Sequence, residues 1–313
     1  VELTVNTVNF STKKFSWNTT LTLSHNKNSV KALTGEAVQL YEARFGFNQN
    51  THRIAVGEPL GQFYGYITEG LYQVDDFNYD ASTQTYTLKD GIPYHGDKGR
   101  IRPGMWKFKN LAGDDNVIDE NDKTVIGNAQ PKFYGGLNNS FTYKGFDLSI
   151  FLTFSYGNEV LNATKLVTSK VGSLNYNALD VMNSSNRWMT INSDGQKVTD
   201  PGELAALNAG KTVAAYHDAQ QGDNYIHSWA VEDASYLKLS NVTLGYTFPK
   251  NLIARVGLKN LRLYATGNNL LTWTKYSGFD PEVSTMKSGL TPGVDFGAYP
   301  LSRSFIFGLN VAF

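Results

Sequence analysis

Residues 15–24, FSWNTTLTLS, alternate between two kinds of side chain from one position to the next. Phe15, Trp17, Leu21 and Leu23 are large and apolar, whereas every even position carries a hydroxyl or an amide. Because successive side chains of a β-strand point to opposite faces, this stretch predicts a strand with one apolar and one mildly polar face. The same period recurs in residues 146–156, FDLSIFLTFSY, and in residues 304–313, SFIFGLNVAF.

The polar face of these strands consists mainly of small uncharged residues rather than Lys and Glu. A soluble sandwich usually exposes charged residues on its outer face, whereas a membrane barrel turns apolar residues to lipid and mildly polar residues to its lumen. Aromatic residues stand at the segment ends, as at Tyr143 with Phe146 and at Trp273 with Tyr276, which suits the interfacial girdles of such barrels. The pattern therefore favours an all-β fold, a transmembrane antiparallel β-barrel.

Seven strands are predicted, at residues 2–10, 14–27, 134–143, 145–156, 236–248, 258–272 and 302–313. The alternation changes phase within the fifth of them, so we expect a β-bulge or a membrane boundary near Ser240. Strand-like pieces near 54–74 and 100–110 would add a hairpin and raise the number of strands from seven to nine. An even number of added strands leaves the direction of the others unchanged.

The predicted connections are alternately short and long. The long ones cover about 28–133, 157–235 and 273–301. Outer-membrane barrels have short turns on the periplasmic side and long loops outside. The alternation therefore predicts that these three segments are extracellular loops and that the last strand runs toward the periplasm.

Seven to nine strands are too few for a plugged transporter barrel, which has about 22. An open sheet edge that faces lipid is not viable in a membrane. We therefore expect residues 1–313 to be the C-terminal portion of a larger barrel. Val1–Val5 already read as a strand, without a starting Met or a signal sequence, so the sequence is expected to begin within a longer protein.

Composition excludes several classes of protein. Lys plus Arg and Asp plus Glu number 28 each, which leaves no basic field for nucleic acid. Cysteine is absent, so disulfide frameworks and cysteine-ligated metals are excluded. The five histidines have no metal-ligand spacing and are expected to be polar residues of loops and strand ends. We find no nucleophile-elbow sequence or other catalytic constellation, so the chain is not expected to be an enzyme.

Several blocks of sequence resemble those of SusC/RagA-type TonB-dependent outer-membrane transporters of Bacteroidetes. The blocks are Gly57–Tyr66 with Glu69–Gln73, Asp119–Phe133, Val231–Tyr246, Asn268–Leu270 with Asp280–Glu282, and Tyr299-Pro300 before the terminal aromatic strand. They follow one another in the order found in that family and cover almost the whole chain.

The resemblance implies a barrel of about 22 strands in the outer membrane, in contact with its lipid. It implies a plug domain and a signal peptide, both upstream of this chain. It also implies active import of oligosaccharides, or in some members peptides, with energy from TonB–ExbB–ExbD acting on the plug. The partner implied is a SusD-like surface lipoprotein, in a dimer of transporter–lipoprotein pairs. The alternatives are a TonB-dependent siderophore or cobalamin receptor, a passive porin, or a soluble secreted β-rich binding module.

Aromatic residues of the long segments are the candidate substrate-binding residues, because flat apolar rings with polar rims stack on sugars and grip peptides. They are Tyr94, Trp106, Trp188, Trp229 and Tyr299. The other reading of each ring is packing within the loops.

The acidic segment 110–122 is the candidate metal site, with Asp114, Asp119 and Asp122 as ligands. Calcium takes several hard oxygens from alternating positions of a tight loop. Members of the family often read Asp-x-Asn-Gly-Asp-Gly here, but this chain has Asn110 and Ala112 at the first two ligand positions. The segment is therefore read either as a calcium loop or as a solvated acidic turn. No other cofactor is expected.

Overall fold

A computed structural model describes residues 1–35, 37–42, 49–113, 115–169, 177–215, 225–285 and 288–313. Seven strands form one large sheet in which each strand is antiparallel to its neighbours. Their bounds are Glu2–Ser11, Phe15–Ser24, Phe133–Tyr143, Phe146–Tyr156, Tyr236–Thr247, Asn260–Thr274 and Ser304–Ala312. The order in the sheet is the order in the chain, so the sheet is an up-and-down meander and all seven predicted strands are confirmed.

The register places most of the large residues of the seven strands on one face, because residues that pair directly across antiparallel strands share a face. Phe151 and Ile306 are exceptions, since they pair with residues of the opposite face. One row of this apolar face crosses six strands through Val5, Leu21, Leu137, Leu152, Leu239 and Leu271. The opposite face carries the hydroxyl and amide side chains. The two faces therefore correspond to the lipid side and the lumen side of a membrane barrel.

Aromatic rings mark both ends of the apolar face. At the end with the short turns, Trp17 stacks on Phe141 with ring centroids 5.7 Å apart, and Phe146 packs against Tyr246 at 4.5 Å. At the other end, Phe133 stacks on Tyr156 at 4.8 Å. Strand Phe146–Tyr156 runs from one of these aromatic ends to the other and has 11 residues. A tilted strand needs about 9–11 residues to cross a bilayer.

The expected irregularity near Ser240 is present. The pairing with both neighbouring strands shifts between Leu239 and Asn241. On the adjoining strand Asn269 takes a left-handed backbone conformation, with φ 53°, a conformation that Asn tolerates better than most residues. The shift keeps Leu239 and Val242 on the apolar face although they are three positions apart in the chain.

The three long connections leave the same end of the sheet and fold into a body of small sheets. Its strands are Val38–Glu42, Asn50–Ala55, Gln62–Gly65, Thr68–Leu71, Phe77–Asp80, Thr85–Leu88, Tyr94–His95, Trp106–Phe108, Val117–Ile118, Thr124–Asn128, Glu159–Asn162, Val231–Asp233 and Val294–Asp295. The pieces near 54–74 and 100–110 belong to these small sheets, so the large sheet has seven strands rather than nine. We call this body of long connections the loop body.

Short helices complete the chain. The α-helices are Ala163–Thr168, Pro201–Leu207 and Lys250–Ile253, and the 3₁₀ turns are Val74–Asp76, Lys98–Arg100, Glu120–Asp122, Asp180–Met182, Ser228–Ala230 and Ala254–Val256. Within the described part of the chain, none of the helices has the length and apolarity that a helical membrane crossing requires.

Strand Ser304–Ala312 offers a direct test of which face meets lipid. Phe307 and Ile306 are adjacent and exposed on opposite faces, with Phe307 paired to Ala265 and Ile306 to Thr266. In the full-length protein, Phe307→Arg should destabilise the folded barrel by about 2–4 kcal/mol, because it places a cation in hydrocarbon. Ile306→Arg, the matched control, should cost much less. Unfolding in lipid vesicles measures both, and equal losses would contradict the assignment of the faces.

Candidate functional site

The polar face of the large sheet is a set of neutral side chains that hydrogen-bond across the strands. The polar atoms of six pairs lie 2.6–3.0 Å apart: Ser16–Thr142, Asn138–Ser149, Thr153–Ser240, Asn241–Asn268, Thr243–Thr266 and Asn268–Ser304. Cross-strand pairs of this kind stabilise a sheet and hold its side chains in place. The lumen side thus presents ordered hydroxyl and amide groups with little charge.

An ion pair crosses the polar face near the short turns. Arg262 donates from Nε to Oδ1 of Asp147 at 3.0 Å and from Nη2 to Oδ2 at 2.5 Å, which is the bidentate geometry that makes Arg–carboxylate pairs strong. Gly245 lies between the two residues, and a Cβ there would come within 2.4 Å of the guanidinium. The glycine therefore allows side chains from two non-adjacent strands to meet.

The third long connection folds back onto the polar face. Tyr236 donates its hydroxyl to Oε1 of Glu282 at 2.6 Å, and Lys238 forms an ion pair with the other carboxylate oxygen. Tyr236 and Lys238 belong to the polar face, because they pair with Ser155 and Thr153. Lys238 is only 5% exposed, so Glu282 neutralises a buried cation and holds the connection against the wall of the lumen.

A cavity of about 550 Å³ lies where this connection meets the wall. Its lining includes Tyr134, Thr153, Ser155, Asn158, Tyr236 and residues 281–284. The Ser155 hydroxyl donates to Oδ1 of Asn158 at 2.7 Å, which orients the amide. A cavity with tyrosine rings and several neutral polar groups in its lining suits a ligand that is itself rich in hydroxyl or amide groups.

Three of the five predicted substrate residues meet inside the loop body. Trp106 and Trp229 have ring centroids 4.9 Å apart, and Trp188 packs in the same hydrophobic cluster. Trp106 is 4% and Trp188 1% exposed. A Cβ on Gly104 would lie 2.3 Å from the Trp188 ring, so the glycine makes room for it. Neither buried ring presents a free face to solvent, and substrate contact by these residues stays a prediction.

The other two predicted rings lie apart from this cluster. Tyr94 is half-buried and packs with a second hydrophobic cluster that contains Tyr72. Tyr299 is 90% exposed on the third long connection. Phe279, on the same connection, is 80% exposed and was not singled out from the sequence. A large apolar residue in a segment rich in Gly and Pro was the only signal that pointed to it.

A partly buried ion pair within the second long connection is hydrogen-bonded to the third. Lys165 lies 3.0 Å from Glu232, and Glu232 also accepts hydrogen bonds from the amide and the hydroxyl of Ser277, both at 2.9 Å. Burial raises the pKa of Glu232, but the hydrogen bonds from Ser277 and the charge of Lys165 outweigh it and hold the pKa below its usual value. The Lys165 ammonium also lies 4.1 Å from the ring centroid of Trp229.

The predicted metal ligands Asp119 and Asp122 bond to the backbone of their own turn. Asp122 is fully buried and accepts hydrogen bonds from the amides of Leu111, Ala112 and Asp119 at 2.5–2.9 Å. Asp119 accepts one from the amide of Asn121 at 2.8 Å. Asp114 lies outside the described residues. Among the residues that the structure describes, no group of three His, Cys, Asp or Glu is placed to hold a metal, and calcium binding stays a prediction.

Three histidines are buried, unlike the polar loop residues expected from the sequence. His52, His95 and His227 are each at most 2% exposed, and they pack against aromatic rings of the loop body. Burial lowers the pKa of His52 to about 4 and that of His227 to about 3, with the charge of Lys165 adding to the second shift. The sequence carried no signal for this burial, because it depends on contacts between distant segments.

The fold and these surfaces define the class of protein, the wall of a membrane β-barrel with elaborate loops on one end. No family model matches the chain. It is 33% identical to TonB-dependent receptor P3 of Formosa agariphila over 319 residues, which are 100% of this chain and 28% of the receptor. It is 26% identical to the TonB-dependent receptor SusC of Bacteroides thetaiotaomicron, over 100% of this chain and 26% of SusC.

A solved structure of the RagAB peptide importer in its open-open state has the same fold. The TM-score is 0.66 at 18% identity, and the match covers 100% of this chain and 28% of the other. The chain therefore belongs to the SusC/RagA-type TonB-dependent receptors and spans somewhat more than a quarter of the length of such proteins. Because these relatives are receptors, the expectation that the chain is not an enzyme is confirmed.

The buried histidines make the stability of the loop body depend on pH. His52 and His227 stay neutral in the folded protein because their pKa values are lowered. In the unfolded chain they take up protons below a pH of about 6.5. Stability should therefore fall as the pH drops from about 6.5 toward 4, by about 1.4 kcal/mol per pH unit and histidine. Thermal unfolding of the full-length protein at several pH values measures this.

Replacing His52 and His227 tests whether these two residues cause the pH dependence. The double variant His52→Gln, His227→Gln should show a flatter pH profile, whereas replacement of the exposed His25 by Gln should leave the profile unchanged. An unchanged slope in the double variant would contradict the assigned cause.

The contact of Glu282 with the wall can be tested separately. Glu282→Gln leaves Lys238 as a buried cation without a charged partner, at a cost on the order of 2 kcal/mol. We expect faster hydrogen exchange around residue 282 and an unchanged rate in the large sheet. Glu69→Gln, at an exposed site, is the matched control. Unchanged protection around residue 282 would show that the ion pair does not hold the connection in place.

Proposed function

We propose that this chain is part of a TonB-dependent importer that carries nutrient oligomers across the outer membrane. The observation that carries the proposal is the pairing of two surfaces on one sheet: an apolar face bounded by aromatic rings, and a neutral hydrogen-bonded face onto which Glu282 fastens a long connection. The first surface meets lipid, and the second lines a path for polar solutes.

The proposed substrates are oligosaccharides, with oligopeptides as the second class. The polar part of the cavity at the wall consists mostly of hydroxyl and amide groups, and the rest of its lining is apolar. Its two carboxylates are already engaged, since Glu282 is paired with Lys238 and Glu159 accepts a hydrogen bond from the amide of Asn128 at 2.7 Å. A neutral lining fits a hydroxylated chain better than a peptide with charged ends. Peptides remain the second proposed class because the structurally similar RagAB is a peptide importer.

The proposed partners follow from the family rather than from a surface of this chain. They are a SusD-like surface lipoprotein that captures the substrate over the loop body, and TonB–ExbB–ExbD acting through a plug domain. We place the long connections outside the cell and the short turns in the periplasm, and we propose a dimer of transporter–lipoprotein pairs. In this arrangement substrate passes from the lipoprotein along the polar face when the plug is displaced.

Growth of a deletion strain tests the proposed function. Loss of the full-length gene should abolish growth on one oligosaccharide or oligopeptide as the carbon source but not on its monomer, because monomers cross the membrane through porins. Loss of TonB should give the same phenotype, and affinity purification should recover a lipoprotein with the receptor. A growth defect relieved by iron or cobalamin would instead identify a siderophore or cobalamin receptor, and unchanged growth on every oligomer would refute oligomer import.

A further inference from the structure

Positive charge is concentrated at the end of the sheet with the short turns. The turns comprise residues 12–14, 144–145 and 248–259, and they contain six cationic residues but no Asp or Glu: Lys13, Lys14, Lys144, Lys250, Arg255 and Lys259. The chain as a whole has 28 cationic and 28 anionic residues. The chain has no net charge, but its charges are distributed unevenly along the axis of the barrel, with an excess of cations at the short turns. We call these six residues the basic rim.

The charges of the basic rim are not neutralised within the described part of the chain. All six side chains are exposed, and none of them takes part in a salt bridge among the described residues. Asp147 is the carboxylate nearest to the turns in sequence, and it is already bound by Arg262. The field of the rim is thus available to an external anion.

The turns that bear these charges are held together. The amide of Lys144 donates to the carbonyl of Lys14 at 3.4 Å, and that of Thr247 donates to the carbonyl of Gly145 at 2.8 Å. Between them lies a cavity of about 480 Å³ lined by Lys13, Lys14 and Lys144, by the ring residues Phe15, Tyr143 and Phe146, and by Thr12, Thr142, Gly145, Asp147 and Thr247. The cavity therefore combines three cations with aromatic rings from the short-turn end of the apolar face.

Lys144 places its charge on the lipid side. Its ammonium lies 5.2 Å from the ring centroid of Tyr143, and Tyr143 belongs to the apolar face through its pairing with Phe15 and Phe146. Lys144 has a φ of 46° at the first position of a two-residue turn, where Asn or Gly is the favoured residue. A lysine kept in a conformation that disfavours it points to a role for its charge.

The third turn has the composition of a membrane-surface segment. Leu252 is 53% and Val256 71% exposed, and they are four residues apart in a helical stretch, which places them on one side of it. Lys250 precedes them, Arg255 lies between them, and both cations are also exposed. Exposed apolar residues beside cations are typical of short segments that lie in the headgroup region of a bilayer.

We propose that the basic rim binds the phosphate groups of anionic phospholipids in the leaflet that surrounds the short turns. Lys13, Lys14 and Lys144 bind headgroup phosphates at the cavity, the girdle rings contact the upper acyl chains, and Leu252 and Val256 enter the interface. Basic residues at a membrane surface attract anionic lipids in this way. The inference depends on which face of the sheet meets lipid and not on the substrate carried, so it survives a failure of the proposed import.

Spin-labelled lipids test the proposal in the full-length transporter without substrate. The protein is reconstituted in phosphatidylcholine with a trace of labelled phosphatidylglycerol or labelled phosphatidylcholine, and the fraction of motionally restricted lipid is compared. We expect a preference for phosphatidylglycerol that falls as salt is raised. Removing one cation should lower the preference roughly fivefold at low salt, and removing three should lower it more than about tenfold.

Two triple variants with the same change in charge make the test specific. Lys13→Gln, Lys14→Gln, Lys144→Gln should lose the preference, whereas Lys31→Gln, Lys109→Gln, Lys197→Gln, at exposed lysines of the long connections, should keep it. Equal losses in both would reveal a general effect of net charge and overturn the proposal. Absence of any preference in the unaltered protein would also overturn it.

A single substitution separates binding from folding. Lys144→Asn removes the cation and places a residue that tolerates positive φ in the turn, so thermal stability in detergent should be kept or raised while the preference for phosphatidylglycerol falls. An undiminished preference in this variant would exclude Lys144 from the site and overturn the proposed binding at the cavity.

Discussion

In the hydrocarbon of a bilayer, a backbone N–H or C=O without a hydrogen-bond partner costs several kcal/mol, and every other feature of the large sheet follows from that constraint. The seven strands pair in one antiparallel ladder, and the pairing resumes after the shift at Ser240. Once this register is set, the side-chain period of two separates lipid from lumen. The outer strands, Glu2–Ser11 and Ser304–Ala312, are edges that a barrel removes by closing on further strands.

The loop body is stabilised differently, because it has a hydrophobic core of its own, like that of a water-soluble domain. Large residues such as Phe63, Tyr72 and Trp188 are almost fully buried there. Polar contacts such as Lys165–Glu232–Ser277 connect the long connections to one another. The contact of Glu282 with Tyr236 and Lys238 joins this body to the wall. Such a loop can be held rigidly in the path of a solute without any strand of its own in the barrel.

Much of the architecture was predictable from local pattern. The alternation in residues such as 15–24 and 146–156 reports directly on the environment of each face, so all seven strands and their antiparallel order could be predicted. The change of phase near Ser240 was also visible, although the sequence allowed either a bulge or a membrane boundary there. The loop body could not. Trp106 and Trp188 read as candidate ligand rings, yet they are core residues, because the segments that cover them are distant in sequence and follow no period.

The sequence by itself determined the class of fold, the two faces of the wall and the alternation of short and long connections, because membrane strands encode their surroundings residue by residue. Only the tertiary structure decided which polar residues are buried and that Glu282 holds a connection against the wall. It also decided that burial lowers the pKa of His52 and of His227. These features arise from contacts between residues far apart in the chain, where burial and charge depend on geometry and not on the neighbouring sequence.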